Sequence, residues 1–434
     1  MSEFWVKFEA IPPATVADPV RLRIGVGNTI LTRLLRDQGS QPDDALLAAP
    51  VPLAFWLCDN WWRLRWETIP PGGRSATWRL AHELTAVGGG FAWPRLSIWG
   101  DVDRIGVLSQ ADPPGVVGPV RFLADALMYV DGSGFEQSID GFLDQVLNNP
   151  WGENGDLVAL SALVEALRSE RSDPDVAQWR RIEARLGCAP DQAADALIEA
   201  IGELVLSYGL AAVEEAISAK PGADTAAVLE QEVLAARSTG QCCDFSALLT
   251  ELPPVEHRSS EPPWVPAERN AQQIRSLVGI ARGPIKNATL AELLGVPSSA
   301  LRKTADGRLL DYGLRVGEQG THARQWVALR SKWPEARRFE LCRALGDAVW
   351  ARDDVLGPIT DTSTSRQKFQ RAFAQSLLCP FDDLHAYLET DSPNDDDIAA
   401  AARHFQVAPR MVETVLVNKG VVDRGRFADR LEAT

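Results

Sequence analysis

RRFELCRALGDAVW, Arg337 to Trp350, is the stretch on which the reading of the chain turns. Its apolar residues recur at helical spacing. A polar–apolar strand, ARQWVALRS, precedes it, and LLDYGLRVG reads as that strand's partner across the Gly317–Gly320 turn. SRQKFQRAFAQSLLCP, DDIAAAARHFQV and PRMVETVLVNKGV follow, all helical. Upstream, AQQIRSLVGIA is a helix and TLAELLGVPSSALRK holds two short ones. Residues 269–434 therefore read as a helical domain with a small sheet.

Working outward, residues 251–268 (ELPPVEHRSSEPPWVPAE) hold five prolines and read as a linker, since proline removes a helix donor and clashes with the preceding turn. Residues 154–250 are rich in Ala, Leu, Glu and Arg. LVALSALVEALRSE, VAQWRRIEARLG, DQAADALIEAIGELVLSYG, AAVEEAISA and DTAAVLEQEVLAARST read as helices of one bundle. Eight of the 14 tryptophans lie in the first hundred residues: Trp5, Trp56, Trp61, Trp62, Trp66, Trp78, Trp93 and Trp99. Such rings anchor a core or an interface. VPLAFWLCDNWWRLRWE and SATWRLAHELTAV are helices there, the second capped by Ser75. RLSIWG and RIGVLSQ form a hairpin around Asp101–Asp103, GPVRFLADALMYV adds a strand, and FEQSIDGFLDQVLN is an amphipathic helix. The fold class is thus α+β and predominantly helical. It comprises a Trp-rich α+β domain (1–153), a helical bundle (154–250), a linker (251–268) and the C-terminal domain (269–434).

The 434 residues are ordinarily globular in composition. With 44 Lys+Arg against 59 Asp+Glu the net charge is −15, which argues against broad binding to nucleic acid or anionic lipid. No long uncharged apolar run suggests a membrane span, and MSEFWVKFEAIPP does not read as a signal peptide. The cysteines (Cys58, Cys188, Cys242, Cys243, Cys342, Cys379) are scattered without a CxxC pair, as expected of reduced thiols in the cytoplasm. The preference for Arg over Lys and the abundant Ala point to a bacterial genome. No GxxxxGK[ST], GxGxxG or GxSxG motif occurs, so no cofactor is expected.

The order strand, RRFELCRALGDAV, FAQSLLCP, AAARHFQVAPRMVETVL resembles the ImmA/IrrE family of metallopeptidases, whose helices run RRFxLAHELGHAL and ExxANxFAxxLLMP before a helical tail. The matches are Arg337, Arg338, Phe339, Leu341, Leu345, Gly346 and Ala348 on the first helix. On the second they are Phe373, Ala374, Leu377, Leu378 and Pro380, and in the tail Ala401, Phe405, Val407, Val412, Val415 and Leu416. The resemblance spans about 100–160 residues and implies a zincin-like fold. It also implies that the chemistry is gone. The three HExxH positions that bind zinc and activate water are here Arg343, Ala344 and Asp347. The third ligand falls on Gln367, and Arg371 replaces an Asn. A guanidinium offers zinc no lone pair, and Ala344 is no base.

The expectation is a non-catalytic ImmA/IrrE-like protein that binds a protein or peptide partner as a regulator or sensor, in a mobile-element, toxin–antitoxin or phage-defence setting. Arg343, Asp347, Gln367 and Arg371 would line its cleft. Arg343 and Asp347, at i and i+4, would pair, and Arg371 would reach Asp347 from the second helix. Self-association is open to the Trp-rich and bundle regions. A metallopeptidase with a rebuilt zinc site would need ligands among His322, His385, His404, Cys342, Cys379 and Asp347. His82–Glu83 imitates a zincin opening but meets Ala86 where a second His belongs, so a core role is the expectation. TLAELLGVPSSALRK has the outline of a helix-turn-helix, with Ser298 as cap and Ser299, Arg302 and Lys303 toward DNA. The acidic charge disfavours this second reading. Asp395–Asp397, Asp353–Asp354 and Asp382–Asp383 read as helix starts and turns.

Overall fold

The computed structural model describes residues 3–9, 19–36, 41–115, 118–149, 155–256, 261–302, 310–318 and 321–423. Helix predominates, with 17 α-helices against 13 mostly short strands among the described residues, and every strand pairing is antiparallel. The chain divides into two compact units. One is Met1–Ala200 with Pro221–Ala223 and Arg258–Ser260; the other is Ile201–Lys220, Asp224–His257 and Glu261–Thr434. Among the described residues, no helix is long and apolar enough to cross a membrane.

The first unit opens with β1 (Phe4–Glu9), β2 (Val20–Val26), β3 (Thr29–Ile30), β4 (Leu34–Arg36) and β5 (Leu46–Ala48). β2 pairs with β1, β3 and β5. Its Val20, Leu22 and Ile24 point inward, while Arg21 and Arg23 pair outside with Asp43 and Glu9. α1 (Pro50–Asp59) and α2 (Trp61–Trp66) divide at Asn60, whose side-chain amide donates to the Trp56 carbonyl. α3 (Ala76–His82) starts at Ser75, which accepts from the Trp78 N–H as expected of a cap. β6 (Arg95–Asp101) and β7 (Arg104–Gln110) form the expected hairpin. β8 (Val120–Phe122) pairs with β4, and β9 (Ala126–Asp131) with β7. α4 (Gly132–Asn148), α5 (Gly155–Ser172) and α6 (Pro174–Arg185) follow. Trp56, Trp61, Trp62, Trp78, Trp93 and Trp99 are buried. Trp56, Trp78 and Trp93 each donate to a carbonyl, of Leu80, Thr68 and Gly88, so their ring nitrogens are satisfied without water.

The stretch 154–250 does not form a bundle of its own. α5 packs on α1 and α6 on α2; Leu160, Val164, Leu167 and Ala184 join the core of the first unit. The division between the two units falls inside α7 (Asp195–Tyr208). α8 (Leu210–Ala219) and α9 (Thr225–Thr239) instead cover a sheet of the second unit. An amphipathic helix buries its apolar stripe on whatever apolar surface is nearest, and here sheets and other helices supply it.

That sheet has the order β10-β12-β11-β13, from β10 (Gln241–Cys243), β11 (Gly313–Glu318), β12 (Thr321–Ala328) and β13 (Leu356–Ile359). Around it run α10 (Ser246–Glu251), α11 (Trp264–Leu277), α12 (Asn287–Leu293), α13 (Pro334–Trp350), α14 (Ser365–Leu378), α15 (Phe381–Leu388), α16 (Asp395–Phe405) and α17 (Pro409–Asn418). α11 begins inside the stretch expected to be linker. Its Pro266 lies in the first turn, where a missing N–H costs no helical bond. α13 and α14 pack together, with Leu341, Leu345 and Ala348 in one core with Phe369, Phe373 and Leu377. A Cβ on Gly346 would fall 2.8 Å from the Phe373 ring, so only glycine lets the two helices approach this closely. The acidic runs act as helix starts. Asp382 and Asp383 lie in the first turn of α15, and Asn394 and Asp397 form a capping box on α16.

Candidate functional site

α13, β11, β13 and α14 bring together the densest buried polar cluster of the second unit. At its centre is Asp347, fully buried on α13. Its carboxylate accepts from Arg315 on β11 (Nε 3.0 Å, Nη2 2.8 Å) and from Arg366 on α14 (Nε 2.7 Å, Nη2 3.0 Å). Gln370 Nε2 adds a fifth bond at 2.7 Å. Arg315 also donates to Gln325 Oε1 (2.8 Å) and the Asp354 carbonyl (3.1 Å); Arg366 also donates to the Asp354 carboxylate (2.7 Å). Burial would raise the Asp347 carboxyl, but the Arg366 and Arg315 guanidiniums override it and hold it below the ordinary value. The same attraction overcomes burial at Arg366 and raises that guanidinium. Gly357 on β13 makes room for the cluster, because a Cβ there would lie 2.0 Å from Asp347 Oδ2.

A second set of bonds surrounds Gln367. Its Oε1 accepts from the Thr360 N–H (2.9 Å) and from Arg343 Nη2 (2.7 Å), while its Nε2 donates to the Pro358 carbonyl (2.8 Å). The amide thus meets backbone groups at and just beyond the end of β13 as a neighbouring strand would. A carboxylate could not, because it has no donor for Pro358. Arg343 Nη2 also donates to the Thr360 carbonyl (2.5 Å), and Arg371 Nη2 to the Thr362 carbonyl (3.0 Å). Glu215 on α8 accepts from the Thr362 and Thr364 hydroxyls.

Arg343, Asp347 and Gln367 are therefore neighbours, with Gln370 bridging Asp347 (2.7 Å) and Arg343 (3.4 Å). The expected pairings differ. Neither Arg343 nor Arg371 bonds to Asp347, whose oxygens are already taken by five donors. All three central side chains are buried and Arg371 is half-buried, so they fill the space where an open cleft was expected. Ala344 is buried in the apolar core. Arg315, Arg366, Gln370 and Gly357 went unpicked in the sequence. The available signal was a run of polar residues, Arg366, Gln367 and Gln370, on a helix that also carries the core residues Phe369, Phe373 and Leu377.

Cys342 and Cys379 are buried. His385 stacks on Phe381 and His404 on Tyr387, both histidines exposed on α15 and α16. The side chain of His322 lies outside the described residues. Among the described residues, no group of three His, Cys, Asp or Glu side chains is placed to hold a metal. His82 is a core residue of the first unit, stacked on Trp78 at 4.2 Å. Its Nδ1 lies 2.7 Å from the Ile98 carbonyl and its Nε2 2.8 Å from Glu67 Oε2. Among the described residues, the segment after α12 forms a 3-10 turn, Ser298–Leu301, with Ala300 and Leu301 buried; Pro297, not Ser298, holds its N-cap position. Ser299 and Arg302 are exposed; Lys303 lies outside the described residues.

Comparison with protein-family models, with curated proteins and with solved structures returns no match.

Proposed function

We propose that the chain is a non-catalytic relative of the ImmA/IrrE metallopeptidases that acts by binding a protein partner, as a regulator or sensor. One observation carries this reading. Arg343 and Asp347 on α13 and Gln367 on α14, which the resemblance aligns with the family's three zinc ligands, share one hydrogen-bonded cluster. Helical periodicity alone would not bring these three positions together. The residue types there hold no zinc, and Ala344 offers no base, so no hydrolytic step is derived. A mobile-element, toxin–antitoxin or phage-defence setting fits such a protein.

Elemental analysis of protein purified without added zinc tests the reading. We expect substoichiometric metal and no change in folding on chelation. About one zinc per chain would overturn the proposal. Affinity purification from the native host then supplies the partner.

A further inference from the structure

The arginines of the polar cluster around α13 and α14 fall into two classes. Arg315 and Arg366 share the Asp347 carboxylate. Arg343 is 3% exposed, yet Nη2 gives its three bonds to neutral oxygens of Thr360, Gln367 and Gln370, and its Nε is buried without an acceptor. Arg371 donates to the Thr362 carbonyl. Among the described residues, no carboxylate lies within ion-pair distance of either. Buried charges are ordinarily paired, because removing an ion from water is costly without a counter-charge.

The surroundings show where a counter-charge would enter. Arg343 and Arg371 bond carbonyls two residues apart in one short segment, those of Thr360 and Thr362. Between these, Asp361 turns outward, half exposed, and pairs with Arg330 at 2.7 Å. The Arg330 bond and the fields of Arg330, Arg343 and Arg371 hold the Asp361 carboxyl below its ordinary value against burial. Burial drives the Arg343 guanidinium down to about 9, and Arg371 pushes it the same way. The other nearby acids are committed. Glu340 accepts from the Ser331 N–H and hydroxyl, and Glu215 from the threonine hydroxyls. Arg371 is partly exposed, so the approach from solvent runs past it.

We propose that Arg371, with Arg343 behind it, forms a site for a carboxylate presented by a protein partner, and that Asp361 occupies the mouth of this site in the free protein. A guanidinium pair suits a carboxylate because each offers planar, charge-assisted donors. The identity of the partner rests on the binding reading above; the arginines and their unmet charge do not.

The test uses the full chain and an acetylated, amidated hexaglutamate peptide, with inorganic phosphate and chloride at matched ionic strength. Binding is read by titration calorimetry. Saturable peptide binding is expected, weakened about tenfold or more in Arg371→Gln and retained in part in Arg371→Lys. In Asp361→Asn it should tighten about tenfold, since the internal competitor is gone and Arg330 is released. The circular dichroism spectrum and melting curve of each variant report its fold. Asp361 is exposed, so its variant keeps the proposal testable even if Arg371→Gln unfolds. Equal binding to wild type and Arg371→Gln, no tightening in Asp361→Asn, or binding of phosphate without the peptide would each overturn the site. None of these outcomes bears on metal content, so the non-catalytic reading fails or stands separately.

Discussion

Each unit holds a buried carboxylate that ties several elements together, and the two are served differently. In the first unit, Glu67 at the end of α2 receives Arg63 Nε (2.6 Å) and His82 Nε2 (2.8 Å) on the same oxygen, joining α2 to α3. In the second, Asp347 receives five donors from β11 and α14 on both oxygens. Burial opposes ionisation at both, and the surrounding donors win at both, leaving each acid stronger than usual. The difference lies in what is stranded when the acid is removed. A guanidinium keeps its charge in a protein, whereas an imidazole can exist neutral. The Asp347 centre therefore has less relief than the Glu67 centre: Arg366 keeps Asp354, but both guanidiniums stay charged.

The largest effect should follow from Asp347→Ala. It removes the carboxylate that two buried guanidiniums share, and we expect a loss of about 3–5 kcal/mol in chemical denaturation. Glu67→Ala should cost about 2–3 kcal/mol by the same measurement, as His82 and Arg63 lose one partner. Equal costs would remove the distinction between the centres. Gly357→Ala forces a methyl against Asp347 Oδ2 and should cost about 1–3 kcal/mol by the same measurement; a neutral Gly357→Ala would remove the steric requirement.

The pH response is the smallest of the four and sharpens the pairing. The Glu67 and Asp347 carboxyls are both held below their ordinary values of 4.5 and 3.8. A depressed folded pKa means that the unfolded state takes up protons first as pH falls. The stabilisation is present above the unfolded values and is lost as pH drops through about 4 and below. In Asp347→Asn the acid limb of the stability curve should be shallower. An unchanged limb would assign the acid sensitivity to other carboxylates.

Much of this was legible in the sequence. Helical periodicity located α13, α14 and the tail, Ser75 announced its cap, and the Asp101–Asp103 hairpin was visible. Two of the four strands in the second sheet were not. β13 is LGPI, with glycine and proline where strands disfavour both, and β10 is three residues of QCC. Periodicity showed that α5, α6, α8 and α9 were amphipathic but not which surfaces they would cover. At the site, matched positions predicted which residues meet. They did not predict partners, because Arg315 arrives from a strand 32 residues away and outcompetes the neighbour one turn along the helix.

The amide of Gln367 has a consequence for the protein at high concentration. β13 stands at one edge of its sheet, and an exposed edge invites pairing with another molecule. Here the Pro358 carbonyl is taken by Gln367 and Gln370, the Thr360 N–H is taken by Gln367, and Pro358 has no N–H to offer. A chain approaching that edge finds its hydrogen-bonding groups already engaged, so intermolecular sheet growth and fibril formation from this side are blocked by the same side chain that orders the interior.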